Sequence, residues 1–426
     1  MTRTTQLLAA LGRSIFQGSS RAVNERRRGL LVALLLAALP ISSLPIDSHA
    51  LVRLEDYAVS SWATAPVSAS PADANRINNQ TARQIVHLTL GGDQVRVKFS
   101  NRYGTAPLVV NAAGVGVRAG DERIVDGSSR SLTFGGLSSF TIPIGAELIS
   151  DWVNMRVADQ ADLLIDLYVA ADTSASTSPL TLHNVRPAGQ LLSYVASGNQ
   201  VGVTTFPTTA TRTQWYFLTG VDVAAPKAVG AIVAFGDSIT DGTASTLNAN
   251  ARWPDFLARR LQSQTAVRPM SVPNLGIGGN RVLNGGTGEP ALTRFDRDVL
   301  VQTGVTHIIV LEGVNDISGG ETAAHIIEGH RQLIKRAHAR GLKIFGATLT
   351  PFANATDARE AERVALNTWI RTSGAYDGVI DFEAAVRDPS NPRRMLPQFD
   401  SGDTLHPNSL GYEAMANIID LNLFKP

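Results

Sequence analysis

Four short blocks of this chain carry residue types that, brought together, could transfer an acyl group. "IVAFGDSITDG" sets Ser238 behind an apolar run. "NLGIGGNR" sets Gly279 in a glycine-rich turn, "EGVND" ends on Asn315 and Asp316, and "SGDTLHP" sets Asp403 three residues before His406. A serine hydroxyl is a poor nucleophile until a base takes its proton. His406 is the candidate base, and Asp403 is the candidate to hold the imidazole in one tautomer and stabilise its charged form. The developing oxyanion needs donors already aimed at it. The backbone N–H groups of Ser238 and Gly279 and the side-chain amide of Asn315 are the candidates. A glycine suits position 279 because substrate must come close to the backbone there. This chemistry calls for no metal and no organic cofactor.

Each block also has a plain reading. Gly-Asp-Ser is a short motif that a simple turn after a strand could carry. Asp400 competes with Asp403, and either could cap a turn. Asp237 reads as a brace for its loop. "GIGGNR" fails as a dinucleotide fingerprint, because Arg281 stands where the third glycine would be. His325, His330 and His338 lie on one helical stretch, but their spacings do not share one face, so a solvated helix surface is expected rather than a metal site. His87 and His183 read as surface or satisfied core. Trp62, Trp152 and Trp215 could stack on sugar rings but read first as core.

The blocks acquire meaning from the elements before them. From about residue 231 onward, apolar strands alternate with helical segments. The expected strands are 231–235, 271–274, 306–311, 343–348 and 378–382. Helical segments include "WPDFLARRLQSQ" and "AHIIEGHRQLIKRAHARG", the second stopping at Gly341. Near-continuous apolar strands alternating with helices predict an α/β, doubly wound parallel sheet. In such sheets ligands bind beyond the carboxyl ends of the strands, which is where the four blocks fall.

The first half reads differently. From 51 to 223 the pattern is short and alternating, as in 84–90 and 94–100, where Val95, Val97 and Phe99 alternate with Arg96, Lys98 and Ser100. That alternation predicts one buried and one wet face. Many such strands, with turn residues between them, predict an all-β sandwich of jelly-roll type. Residues 224–230 read as a linker, and 231–426 as the α/β domain.

The length of 426 residues exceeds one ordinary core. Hydrophobic content of 44% with 18% charged residues fits a soluble globular protein, and a net charge of +1 gives no reason to expect a nucleic-acid partner. The chain has no cysteine, which excludes disulfides, thiolate metal sites and a cysteine nucleophile together. Arg26, Arg27 and Arg28 precede an apolar run and then a polar stretch ending at Ala50. This three-part pattern predicts a signal peptide over 1–50 and export to the periplasm or the medium, with no membrane attachment after cleavage. The apolar run is too short to span a bilayer. The adjacent Arg27 and Arg28 match a twin-arginine signal only weakly. Oligomeric state is not legible.

In its four ordered blocks the chain resembles the SGNH (GDSL-type) hydrolase superfamily. Gly236-Asp237-Ser238-Ile239 matches the first block, Asn274 through Gly279 the second, Gly313-Val314-Asn315-Asp316 the third, and Asp403-Thr404-Leu405-His406 the last. The wider text, including "RWPDFLARRL", "LTRFDRDVL" and "LHPNSLGYEAMA", resembles secreted acylhydrolases related to arylesterases and xylan esterases. The resemblance implies a flavodoxin-like hydrolase domain with an accessory β-sandwich. It also implies an esterase that forms an acyl-enzyme on Ser238, with Asp403 and His406 completing the triad and Ser238, Gly279 and Asn315 the oxyanion hole. Short-acyl (acetyl) esters of carbohydrate or aryl alcohols would be the substrates. A lipase or thioesterase with the same site, or a carbohydrate-binding protein on an inactive hydrolase scaffold, are the competing readings.

Overall fold

Alternating β-branched and aromatic residues in the first half form strands because each pleat buries one side chain in two. The computed structural model describes residues 57–425, apart from 70–75, 174–179, 185–191, 226–227, 229 and 265–268. The expected signal peptide, the start of the β region and part of the expected linker lie outside the described residues. The β region holds two larger antiparallel sheets. One has five strands in the order Ala58–Ala63, Leu218–Ala224, Gly92–Ser100 and Glu147–Ile149, with Val153–Val157 also paired to Gly92–Ser100. The other has seven and centres on Gln80–His87, Asp162–Val169 and Ala112–Gly120. A small three-stranded sheet joins Gln214–Tyr216, Leu180–Asn184 and Val67–Ala69.

Two expectations are corrected here. The strand expected at 84–90 runs instead from Gln80 to His87. Its polar first residues are held by tertiary partners: Arg83 is sealed from solvent and makes a two-pronged bond to Asp166, at 2.7 and 2.8 Å. The face of Gly92–Ser100 expected to be wet is largely covered. Val95, Val97 and Phe99 are buried, but so are Lys98 and Ser100. Lys98 Nζ donates to Thr303 at 2.9 Å and pairs with Asp222 at 2.8 Å, so the polar side of this strand meets the second half of the chain.

That second half is a parallel sheet. Its strands are β1 (Gly230–Gly236), β2 (Asn274–Gly276), β3 (Val305–Leu311), β4 (Lys343–Ala347) and β5 (Gly378–Ile380). They lie in the order β2-β1-β3-β4-β5. Every residue of β1 is buried, as a strand covered on both faces requires. The expected strand 271–274 is two pieces, Met270–Ser271 and β2, because Pro273 between them has no N–H for the ladder. The helices include α1 (Ser238–Asp241), α2 (Trp253–Ser263), α3 (Val314–Ser318), α4 (Ala323–His338), α5 (Asp357–Thr372) and α6 (Ser409–Asn417), with further five-residue helices at Ala291–Phe295 and Phe382–Val386. Thr322, Thr356 and Asn408 cap α4, α5 and α6 by accepting backbone N–H bonds, which satisfies donors the first turns leave free.

The two halves belong to one compact unit. Ala63, Ala65 and Val67 of the β region pack into the apolar core of the parallel-sheet half. The Ser60 N–H donates to the Thr303 carbonyl at 2.9 Å, and Ser271 Oγ donates to the Ser60 carbonyl at 2.6 Å. Asn250 donates to Asp162 at 3.2 Å.

Candidate active site

At Gly236 the chain leaves β1 where a side chain has no room. A Cβ there would lie 2.1 Å from Thr240 Oγ1 and 2.5 Å from the Leu311 carbonyl oxygen. Asp237 then caps α1 by accepting the Ile239 N–H at 2.9 Å, the loop brace expected of it. Ser238 opens α1 and is 7% exposed.

His406 arrives from the other end of the domain. Asn408, at the start of α6, donates to the Gln398 and Asp400 carbonyls and so ties down the preceding loop. Tyr412 of α6 donates to the Thr243 carbonyl at 2.6 Å, which docks this helix beside the segment that follows α1. In this frame His406 Nε2 lies 2.9 Å from Ser238 Oγ. Its Nδ1 lies 2.5 Å from Asp403 Oδ2. Asp403 Oδ1 accepts the backbone N–H groups of Leu405 and His406 at 2.9 and 2.8 Å. Burial works to raise the Asp403 carboxyl, but the hydrogen bonds from His406 and Leu405 outweigh it and hold it at about 2. Its rival Asp400 accepts from the Gly402 and Thr404 N–H groups at 2.7 and 3.1 Å and serves the turn.

The glycine-rich block adjoins the same serine. A Cβ on Gly278 would lie 3.9 Å from Ser238 Cβ. Gly279 follows with φ +78, a backbone state that a side chain disfavours. Asn315, on α3, donates from Nδ2 to the Asn280 carbonyl at 2.9 Å. An amide nitrogen carries two hydrogens, so one remains for another acceptor. Asp316, beside it, accepts the Val282 and Leu283 N–H groups at 2.8 and 3.1 Å and clamps the two blocks together. Ser238, Asp403 and His406 thus form a continuous relay, with Gly279 and Asn315 on adjoining turns.

Residues 234–414 match the sequence profile of the GDSL-like Lipase/Acylhydrolase family. The chain carries a GDSL-like hydrolase domain. As such it is an SGNH-type ester hydrolase. No curated protein sequence matches the chain. Similar solved structures include a member of the lipolytic protein G-D-S-L family from Veillonella parvula, 19% identical with a TM-score of 0.35, covering 44% of this chain and 94% of that one. A psychrotrophic esterase from Pseudoalteromonas is 18% identical with a TM-score of 0.36, covering 44% and 93%. A catalytic mutant of an acetylxylan esterase from Geobacillus stearothermophilus is 18% identical with a TM-score of 0.37, covering 47% and 96%.

Beneath the site, the GDSL domain holds a charged cluster that the sequence reading passed over. Arg294 is sealed from solvent. It donates to the Gly236 carbonyl at 2.9 Å, the Leu275 carbonyl at 2.8 Å and Asn280 Oδ1 at 2.9 Å. It therefore ties the ends of β1 and β2 to the glycine-rich turn. Its guanidinium also lies 4.1 Å from the Phe235 ring centroid. Glu312, at the end of β3, and Asp237 complete the cluster. Burial pushes Asp237 up to about 7, with the Asp316 charge adding to it. Burial raises Glu312 well above the carboxylate range, with Asp237 adding to it. An acid following the apolar run "IIVL" was the available signal for Glu312.

The histidine and tryptophan readings separate in the GDSL domain and the β region. His325 and His338 sit on the helix surface as expected, against Glu321 and Asp377. His330 does not. It is fully buried, and its Nδ1 is hydrogen-bonded with Tyr376 Oη at 2.6 Å. Burial pushes it down to about 4 against the pull of the Glu312 backbone carbonyl. His87 and His183 are buried and bonded, each to a carboxylate that sequence spacing does not reveal, Asp162 and Asp241. Trp62 and Trp215 are core and meet edge to face at 5.1 Å. Trp152 is half-buried beneath Arg96. Among the described residues no group of three or more His, Cys, Asp or Glu side chains could hold a metal ion.

Proposed function

We propose that this protein is an exported serine esterase that removes short acyl groups, acetyl foremost, from carbohydrate or aryl alcohols. The observation that carries the reading is the unbroken relay from Ser238 through His406 to Asp403, at 2.9 and 2.5 Å. His406 Nε2 accepts the Ser238 proton as Oγ attacks the ester carbonyl. Asp403, held as a carboxylate, stabilises the imidazolium that forms. The Ser238 and Gly279 N–H groups and the free hydrogen of Asn315 Nδ2 receive the oxyanion. His406 then gives its proton to the departing alcohol. Water, activated by the same imidazole, attacks the acyl-enzyme and releases the acid. Export rests on the basic, apolar and polar order of residues 26–50.

The β region is an accessory sandwich that walls the domain rather than a tethered binding module. Its support is the packing of Ala63, Ala65 and Val67 into the GDSL-domain core. A further contact reaches the loop that follows the glycine-rich block: Tyr103 Oη donates to Glu289 at 2.9 Å.

Turnover of a series of aryl esters of increasing acyl length, together with acetate release from acetylated xylan, tests the reading. Highest kcat/KM on acetyl esters supports it. A maximum on long acyl chains makes the protein a lipase, and a preference for acyl thioesters makes it a thioesterase. No turnover of any ester leaves a binding protein on a hydrolase scaffold. Expression with the full N-terminus tests export, which is upheld if a product beginning near Leu51 appears outside the cytoplasm.

A further inference from the structure

One buried titratable pair next to the nucleophile takes no part in the relay, and it joins the two halves of the chain. His183 lies on the β-region strand Leu180–Asn184 and is 2% exposed. Its Nδ1 is 2.6 Å from the Ala65 carbonyl oxygen, and its Nε2 is 3.2 Å from Asp241 Oδ1. Asp241 is the last residue of α1, the turn that Ser238 opens, and it too is buried.

The partners determine where hydrogens must be. A carbonyl oxygen only accepts, so Nδ1 carries a hydrogen and donates it to Ala65. A neutral imidazole then has a bare Nε2, which is an acceptor. An ionised Asp241 oxygen is also an acceptor, and two acceptors at this distance repel. The contact is therefore a bond only when a second hydrogen lies in it, on Nε2 or on the carboxyl. Among the described residues, Arg252, Asp255 and Tyr412 are titratable groups that neighbour this site. The Asp241 charge acts on Arg252 and on Tyr412, and Arg252 is in turn paired with Asp255 at 2.7 Å.

The imidazole is also held from the side. His183 is the register partner of Trp215 on the neighbouring strand, with ring centroids 5.5 Å apart. Trp215 is itself fixed by its Nε1, which donates to the Ile85 carbonyl at 2.8 Å. On the far side, a Cβ on Gly278 would lie 3.7 Å from Asp241 Oδ2 and 3.9 Å from Ser238 Cβ. The Asp241 carboxyl and the nucleophile thus border the same glycine, one residue before Gly279.

We propose that His183 is a positioning residue for the nucleophile. Its hydrogen-bearing bond to Asp241 fastens α1, and with it Ser238 Oγ, to the β region. This rests on the reading of Ser238 as nucleophile. It makes the β region part of the machinery that aims the serine, not only a wall.

The test uses the full chain and His183→Phe, which preserves the ring against Trp215 and removes both bonds, with His183→Gln as a second variant should the first not fold. Asp241→Asn supplies the opposite control. Its own Nδ2–H can donate to the bare Nε2 of a neutral His183, keeping the bond without the extra proton. Two readouts are used, turnover of an aryl acetate and the rate at which a fluorophosphonate labels Ser238. A misaimed serine is expected to slow both by about 10- to 100-fold in the folded histidine variants, with KM little changed. With His183 kept, Asp241→Asn is expected to lose far less than the histidine variants, because a hydrogen still lies in the contact. In protein carrying ¹⁵N-labelled histidine, the His183 resonances are expected to show a hydrogen on Nδ1 in the native chain, and an Nε2 signal that changes in Asp241→Asn.

Labelling and turnover within about twofold of native in a folded His183 variant would overturn the proposal, leaving only a structural contact. So would an Nδ1 without hydrogen. The reading of Ser238 fails separately, if Ser238→Ala in the native background still turns over ester or takes up the label.

Discussion

Arg294 Nη2 and Glu312 Oε1 lie 3.4 Å apart, and neither side chain is reached by solvent. Burial first, and the nearby Asp237 charge second, raise the Glu312 carboxyl well above its ordinary range. The folded chain therefore holds a proton that the unfolded chain has already released. By linkage, stability falls as pH rises past the ordinary glutamate value of about 4.3 toward the raised one. Glu312→Gln is neutral without that proton. It is expected to match the native Tm at about pH 4 and exceed it at about pH 8. Thermal melts at both values check this, and a Tm difference that does not widen with pH would show that Glu312 is ionised in the fold.

Ser238→Ala is expected to remove ester hydrolysis and leave the melt unchanged, since the hydroxyl's bond is to His406 at the site rather than to the core. Loss of a triad serine amounts to about 10⁴- to 10⁶-fold in kcat. Near-native turnover of an aryl acetate by the folded variant would place the nucleophile elsewhere.

Asn315 supplies one amide hydrogen to the Asn280 carbonyl and, in the proposed mechanism, the other to the oxyanion. Asn315→Ala is expected to lower kcat by roughly 10²- to 10³-fold with KM little changed, as the loss of one oxyanion donor does. Steady-state kinetics on an ester whose chemistry is rate-limiting decides it. A rise in KM with kcat preserved would assign Asn315 to ground-state binding.

Acid should switch the enzyme off through the base alone. The Asp403 carboxyl is held at about 2, so it remains ionised while the imidazole gains its proton. The acid side of the kcat/KM profile is therefore expected to follow one ionisation, falling as pH falls. Two ionisations on that side, with the second absent in Asp403→Asn, would contradict the assignment. Asp403→Asn itself is expected to lose about 10⁴-fold in kcat through the wrong imidazole tautomer.

Removing the β region should harm the hydrolase even on a small substrate. A chain beginning at Ala228 would uncover the surface that Ala63, Ala65 and Val67 occupy, and would lose both the His183–Asp241 and Tyr103–Glu289 bonds. Poor solubility, or a fall in turnover of a soluble aryl acetate, is expected. Full turnover of the small ester, with loss confined to polymeric substrate, would return the β region to the role of a tethered binding module.

The four blocks were legible in the sequence because each is local. A strand end, a turn and a three-residue spacing are written in consecutive residues, and hydrophobic periodicity shows which elements present them. Ser238, Gly279, Asn315, Asp403 and His406 could therefore be named from the chain alone, and so could the alternation of strands and helices in the GDSL domain. Arg294, Glu312, His183 and His330 could not. A buried arginine and an exposed one look alike in a sequence, because their difference is the partner: Arg294 is satisfied by carbonyls 58 and 19 residues away. His183 meets Asp241 across 58 residues, and Lys98 meets Thr303 across 205. The polar face of Gly92–Ser100 was read as wet because period-two alternation reports only that one face differs from the other. Whether water or a second domain covers that face depends on long-range packing. That packing seals Lys98 and Asp222 into the join between the halves, where burial makes each charge depend on its neighbour.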